Sequence, residues 1–112
     1  MITWKKESDL LLKFNFSSPD DSQINPLEKS FDIKFYTTNK NIAKIASYNV
    51  TDNTFINCRL DEDNKIEVFF SKPNFNVGRL MIDIRFRESN ILFEDGYFDV
   101  WKEIKTDIEI IK

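Results

Sequence analysis

The sequence predicts an all-β fold, an antiparallel two-sheet immunoglobulin-like sandwich of about seven strands, and three observations carry that expectation. The first is apolar side chains at every second position: Leu10, Leu12, Phe14 and Phe16; Phe31, Ile33 and Phe35; Ile66, Val68 and Phe70; Leu80, Ile82, Ile84 and Phe86. That spacing puts each set on one face of an extended strand. The second is the apolar supply itself, dominated by β-branched and aromatic residues including 11 phenylalanines, which pack well on pleated sheet and specify helices poorly. The third is the turn chemistry between the runs: Asn25-Pro26, Thr51-Asp52-Asn53, Asp61-Glu62-Asp63-Asn64, Pro73 and Gly78. No repeat or linker interrupts the 112 residues. The chain is therefore expected to form one domain, 1–112, a size that buries roughly two thirds of its unfolded surface.

Each element follows in order. The first strand is expected at 9–16, followed by a polar, proline-bearing connection at 17–29. That connection is long for a hairpin, and suits a crossing between sheets or a contact loop. A second strand covers 30–37. The third, 42–50, is weaker, because Ala43, Ala46 and Ser47 also suit a helix. The fourth, 54–60, is expected to place Ile56, Cys58 and Leu60 on one face and Phe55, Asn57 and Arg59 on the other. The acidic turn 61–64 leads straight into a strand at 65–71, the clearest hairpin in the chain. The strongest strand is 79–87, with Met81, Asp83, Arg85 and Arg87 opposite its apolar face. Beyond Glu88-Ser89-Asn90, Tyr97, Trp101, Ile104, Ile108 and Ile111 also stand at helical spacing. An amphipathic helix thus competes with a strand at 106–111, which the β-branched isoleucines and Thr106 favour.

The residue chemistry excludes more than it proposes. The chain has no histidine, the commonest general base and metal ligand, and its two glycines leave no phosphate-cradling loop. A net charge of -3 with 31% charged residues of both signs is an ordinary solvated surface. Neither nucleic acid nor membrane is expected as a partner, and no enzyme activity, cofactor or metal. Nothing at the start reads as a signal peptide or a membrane span, so synthesis in the cytoplasm is expected. The Asn-x-Ser/Thr triplets at Asn15 and Asn49 read as chance matches. Asp61-Glu62-Asp63-Asn64 lacks the glycine and distal glutamate of a calcium loop and reads as a solvated turn. Glu94-Asp95-Gly96, with Asp99 nearby, holds enough carboxylates for acid–base work, yet Asp95-Gly96 is more simply a turn. Cys58, the only cysteine, shares parity with Ile56 and Leu60 and is expected to be a small, inert core residue.

Large aromatic residues are what remains. Trp4, Tyr36, Tyr48, Phe69, Tyr97 and Trp101 could anchor a protein interface or stack on sugars. Tyr36 and Phe69 lie opposite the apolar faces of their strands, so they are expected to be partly exposed or covered by a loop or partner. The interface anchors expected are Tyr36, Phe69, Tyr97 and Trp101. For sugar stacking the expected platforms are Trp4, Tyr97 and Trp101.

The order of motifs along the chain resembles a family. The segments 8–16 (SDLLLKFNF), 31–37 (FDIKFYT), Ala46-Ser47, 56–58 (INC) before the acidic turn, 78–80 (GRL), 94–99 (EDGYFD) and 106–109 (TDIE) together look like small β-sandwich proteins encoded by phages and prophages of Bacteroidetes, including crAss-like phages. Those proteins are similar in architecture to the N-terminal sandwich of phage baseplate upper proteins. The resemblance implies a virion protein without an active site, made in the host cytoplasm. It would be repeated by symmetry and held to other virion proteins and to copies of itself. A lone sandwich is expected to serve as an adaptor, collar, baseplate or capsid-decorating subunit. The alternative is a carbohydrate-binding module for host surface glycans.

Overall fold

The computed structural model describes residues 2–15, 27, 29–38 and 43–112. Among these there is no helix, and nine strands form two sheets. The strands are β1 (Ile2–Lys5), β2 (Leu10–Phe14), β3 (Ser30–Thr37), β4 (Ala43–Asn49), β5 (Thr54–Ile56), β6 (Cys58–Leu60), β7 (Ile66–Phe70), β8 (Gly78–Ser89) and β9 (Tyr97–Ile111). One sheet has six strands in the order β1-β9-β8-β3-β4-β5, and the other has three, β2-β7-β6. The fold is thus all-β and sandwich-like, with more strands than expected. Every ladder is antiparallel except that of β1, which lies parallel to β9. This edge strand was not anticipated, because Ile2-Thr3-Trp4-Lys5 is short and runs directly into Lys6-Glu7.

The alternating apolar sets face one another across the two sheets. Phe31, Ile33 and Phe35 of β3 and Leu80, Ile82 and Ile84 of β8 are buried against Leu10 of β2 and Ile66, Val68 and Phe70 of β7. Phe35 joins the layers: its ring meets that of Phe70 edge-on at 5.2 Å and that of Phe14 at 6.1 Å, separations and angles that suit aromatic quadrupoles. The expected third strand is β4, Ala43–Asn49, with Ala46 fully buried opposite Ile33, while residue 42 lies outside the described residues.

The 54–60 run is not one strand. It changes sheets at Asn57, whose φ is 57°, a left-handed conformation that asparagine tolerates better than most residues. That single residue breaks the period-2 parity. Ile56 is exposed on the edge of the six-stranded sheet, Phe55 turns inward to within 4.8 Å of the Tyr48 ring, and Cys58 is buried in the other sheet. Asn57 locks the crossing by donating from Nδ2 to the Ile45 carbonyl at 3.1 Å. The hairpin that follows is as expected, and joins β6 to β7 with Leu60 opposite Ile66. One Asp61 carboxylate oxygen accepts from the Asp63 and Lys65 amides at 2.9 Å, and Asn64 takes a positive φ of 63°.

The end of the chain is extended throughout. β9 is a 15-residue strand, longer than the expected 106–111, and the helical spacing of Tyr97, Trp101 and Ile104 is coincidental. The reason is its partner: β8 offers 12 residues of unpaired backbone, and β9 satisfies them from Ser89↔Tyr97 to Gly78↔Ile110. Where Arg79 to Met81 opposes Glu109 to Lys105, a bulge absorbs the extra β9 residues. Thr106 holds it, donating from Oγ1 to the Leu80 carbonyl at 2.7 Å. Phe16 and most of the 17–29 connection lie outside the described residues, so the contact-loop expectation does too.

Candidate functional site

The outward face of the six-stranded sheet carries two features that the core does not need. At the end of the sheet where β3 begins, that face carries Ser30, Asp32, Ser47, Asn49, Arg85, Arg87, Tyr97, Asp99 and Trp101. Polar residues outward are ordinary for a sheet with one solvated face. Their arrangement is less so.

Two rungs cross β8 and β9. In the first, Arg87 lies over the Tyr97 ring at 4.4 Å and grips Asp99 through two bonds, Nε to Oδ1 at 2.7 Å and a terminal nitrogen to Oδ2 at 2.8 Å. In the second, Arg85 lies over the Trp101 ring at 5.5 Å and pairs with Asp32 of β3. Each guanidinium therefore lies against the face of an aromatic ring and neutralises a carboxylate beside it. Tyr97 is 42% exposed and Trp101 59%. Beside the rungs lies an open groove of about 380 Å³, with side chains from β3, β4, β5, β8 and Tyr97 of β9 along it. Its walls offer hydroxyls (Ser30, Ser47, Thr54), an amide (Asn49), both arginines, and Tyr97.

The rungs settle the state of Asp99. The Arg87 guanidinium holds its carboxyl below the usual carboxylate range, and Asp99 in turn raises the arginine further. Asp99 is thus ionised at neutral pH and holds no proton to donate. Asp95 does turn work, accepting from the Tyr97 amide at 3.0 Å. Cys58 donates to the Ser47 carbonyl at 3.3 Å, and burial pushes its thiol pKa up, which disfavours the nucleophilic thiolate. Among the described residues no group of three His, Cys, Asp or Glu side chains could hold a metal ion, and no helix is long and apolar enough to cross a membrane.

The four expected anchors do not converge. Tyr97 and Trp101 share the outward face just described, and Tyr36 stands on the same face, further along β3. Phe69 lies on the outward face of the three-stranded sheet, half-exposed and directly opposite the exposed Leu11. Tyr36 is only 7% exposed and offers a partner almost no surface. Lys34 reaches over its ring at 5.7 Å, and its hydroxyl meets Asp83 at 3.2 Å, where burial raises its pKa. Trp4 packs on the core and donates from its indole nitrogen to the Asp9 carbonyl at 3.0 Å, which removes it as a free platform. Tyr48 is buried against Phe31.

A further surface was not anticipated. β8 and β9 run on past the start of β3, so the hairpin loop at 90–96 overhangs the sheet. At its tip Ile91 is 98% exposed and Leu92 86%, with the rings of Phe93 and Phe98 stacked behind them at 5.3 Å. The signal was present in the sequence: three consecutive apolar residues, Ile91-Leu92-Phe93, sit between Asn90 and Glu94, where turn chemistry alone would place polar ones. No family model matches the chain, and no characterised protein matches its sequence.

Proposed function

We propose that the chain is a non-enzymatic structural subunit of a phage virion, an immunoglobulin-like sandwich that joins a symmetric assembly of other virion proteins and copies of itself. The observation that carries the contact role is the hairpin tip. Ile91 and Leu92 are almost wholly in water and backed by the Phe93–Phe98 pair, and apolar side chains grouped in this way mark a protein contact more often than a feature of a free monomer. The half-exposed Leu11–Phe69 pair on the opposite sheet offers a second, smaller patch, as a subunit with neighbours on two sides requires. The virion setting rests on the motif resemblance, as does synthesis in the host cytoplasm.

A mass-spectrometric inventory of particles made from the encoding genome tests the proposal. The protein should be present at a stoichiometry matching a symmetric ring or lattice. Ile91→Ser with Leu92→Ser should leave the circular dichroism spectrum unchanged and lower incorporation. Absence of the wild-type protein from particles overturns the virion role, and undiminished incorporation of the double variant overturns the hairpin as the contact.

A further inference from the structure

From the outward face of the six-stranded sheet we infer a binding site for a neutral oligosaccharide, laid in the groove and along the Tyr97–Trp101 edge. Charge narrows the ligand first. Arg85 is matched by Asp32, Arg87 by Asp99, and Glu88 by Lys29 at 3.3 Å, so neither guanidinium of the groove is left uncompensated to attract a phosphate or a polyanion, and the Asp52 carboxylate, which also lines it, disfavours an anion further. The groove also lacks what a peptide strand requires. Its lining is mostly polar side chains across a sheet face, with only Thr54 and Ile56 from the edge strand β5, and among the described residues along it there is no row of apolar pockets to take alternate side chains of a peptide.

What is present matches a sugar. A pyranose shows an apolar C–H face and a rim of hydroxyls that both donate and accept. The exposed rings of Tyr97 and Trp101 suit the first. Ser30, Ser47, Asn49 and the fixed Arg–Asp pairs supply donors and acceptors side by side for the second. The two rings stand four residues apart on one strand, a separation of roughly 13 Å, which calls for a chain of several sugar units. Each ring already rests on an arginine, so little side-chain freedom remains to be lost on binding. This inference stands apart from the assembly reading, because the groove and the hairpin tip are different surfaces.

Heteronuclear NMR titration of the full chain against cellohexaose, maltohexaose, mannohexaose and hexa-N-acetylchitohexaose tests it. At least one of these should shift the Trp101 indole signal and the amides of Asn49, Arg87 and Tyr97. Tyr97→Ala and Trp101→Ala should each weaken that binding about tenfold, Trp101→Phe should restore most of it, and Leu92→Ser should leave it unchanged. Silence of these signals with all the oligosaccharides overturns the inference. So does binding that survives both alanine substitutions, or a larger shift of the same signals by inorganic phosphate, which would make the site anionic.

Discussion

Replacing Phe35 with alanine tests whether the two sheets are joined as the structure describes. Phe35 is fully buried at the centre of β3 and makes edge contacts with Phe14 and Phe70 of the opposing sheet. Truncating a buried phenylalanine costs about 3–5 kcal/mol. The two ring contacts, each worth roughly 0.5–1.5 kcal/mol beyond the area buried, place Phe35 in the upper part of that range. Against a total stability of about 5–15 kcal/mol for a domain of this kind, the loss is severe but measurable. In urea, a slope of about 2 kcal/mol per molar converts it to a midpoint lowered by roughly 2–2.5 M. The control is Phe69→Ala, on the outward face of β7 opposite Leu11 and half-exposed, whose loss should be about 1–1.5 kcal/mol by area. Where Phe35→Ala does not fold, Phe35→Leu should fall between the two. If Phe35→Ala costs no more than Phe69→Ala, the layers are not packed through this ring and the core has been assigned to the wrong face.

Two further outcomes follow from the same structure. The Cys58 thiol, buried and with its pKa raised by burial, should react with a thiol reagent only after denaturant is added; stoichiometric labelling of the native protein within minutes contradicts its placement. Acid stability should depend on Asp99: its pKa is lower in the folded protein than in the unfolded chain, so its contribution is fully present above about pH 4 and lost as pH falls through the folded value. Urea midpoints measured from pH 7 down to pH 3 should therefore fall less steeply for Asp99→Asn than for the wild type, and parallel slopes would show the Arg87 pair to be uncoupled from folding.

The sequence alone determined the class of structure and most of the core. Where one face of a strand is buried and the other wet, period-2 burial writes itself into residue type, and the sets through Phe31, Ile66 and Leu80 were legible for that reason. The hairpin at 61–64 was legible because its turn is local, made by an aspartate and an asparagine that bond to their own neighbours. Tertiary structure alone decided what depended on distant partners. Residues 97–105 are a strand because β8 lies beside them, and β1 exists because the edge of β9 was open. One positive φ at Asn57 moved Ile56 and Cys58 into different sheets, which no parity count along the chain could register. Tyr97 and Trp101 were visible as aromatics, but which arginine of the neighbouring β8 meets each ring is set by the β8–β9 register, and the groove beside them draws on β3, β4 and β5, far away in sequence.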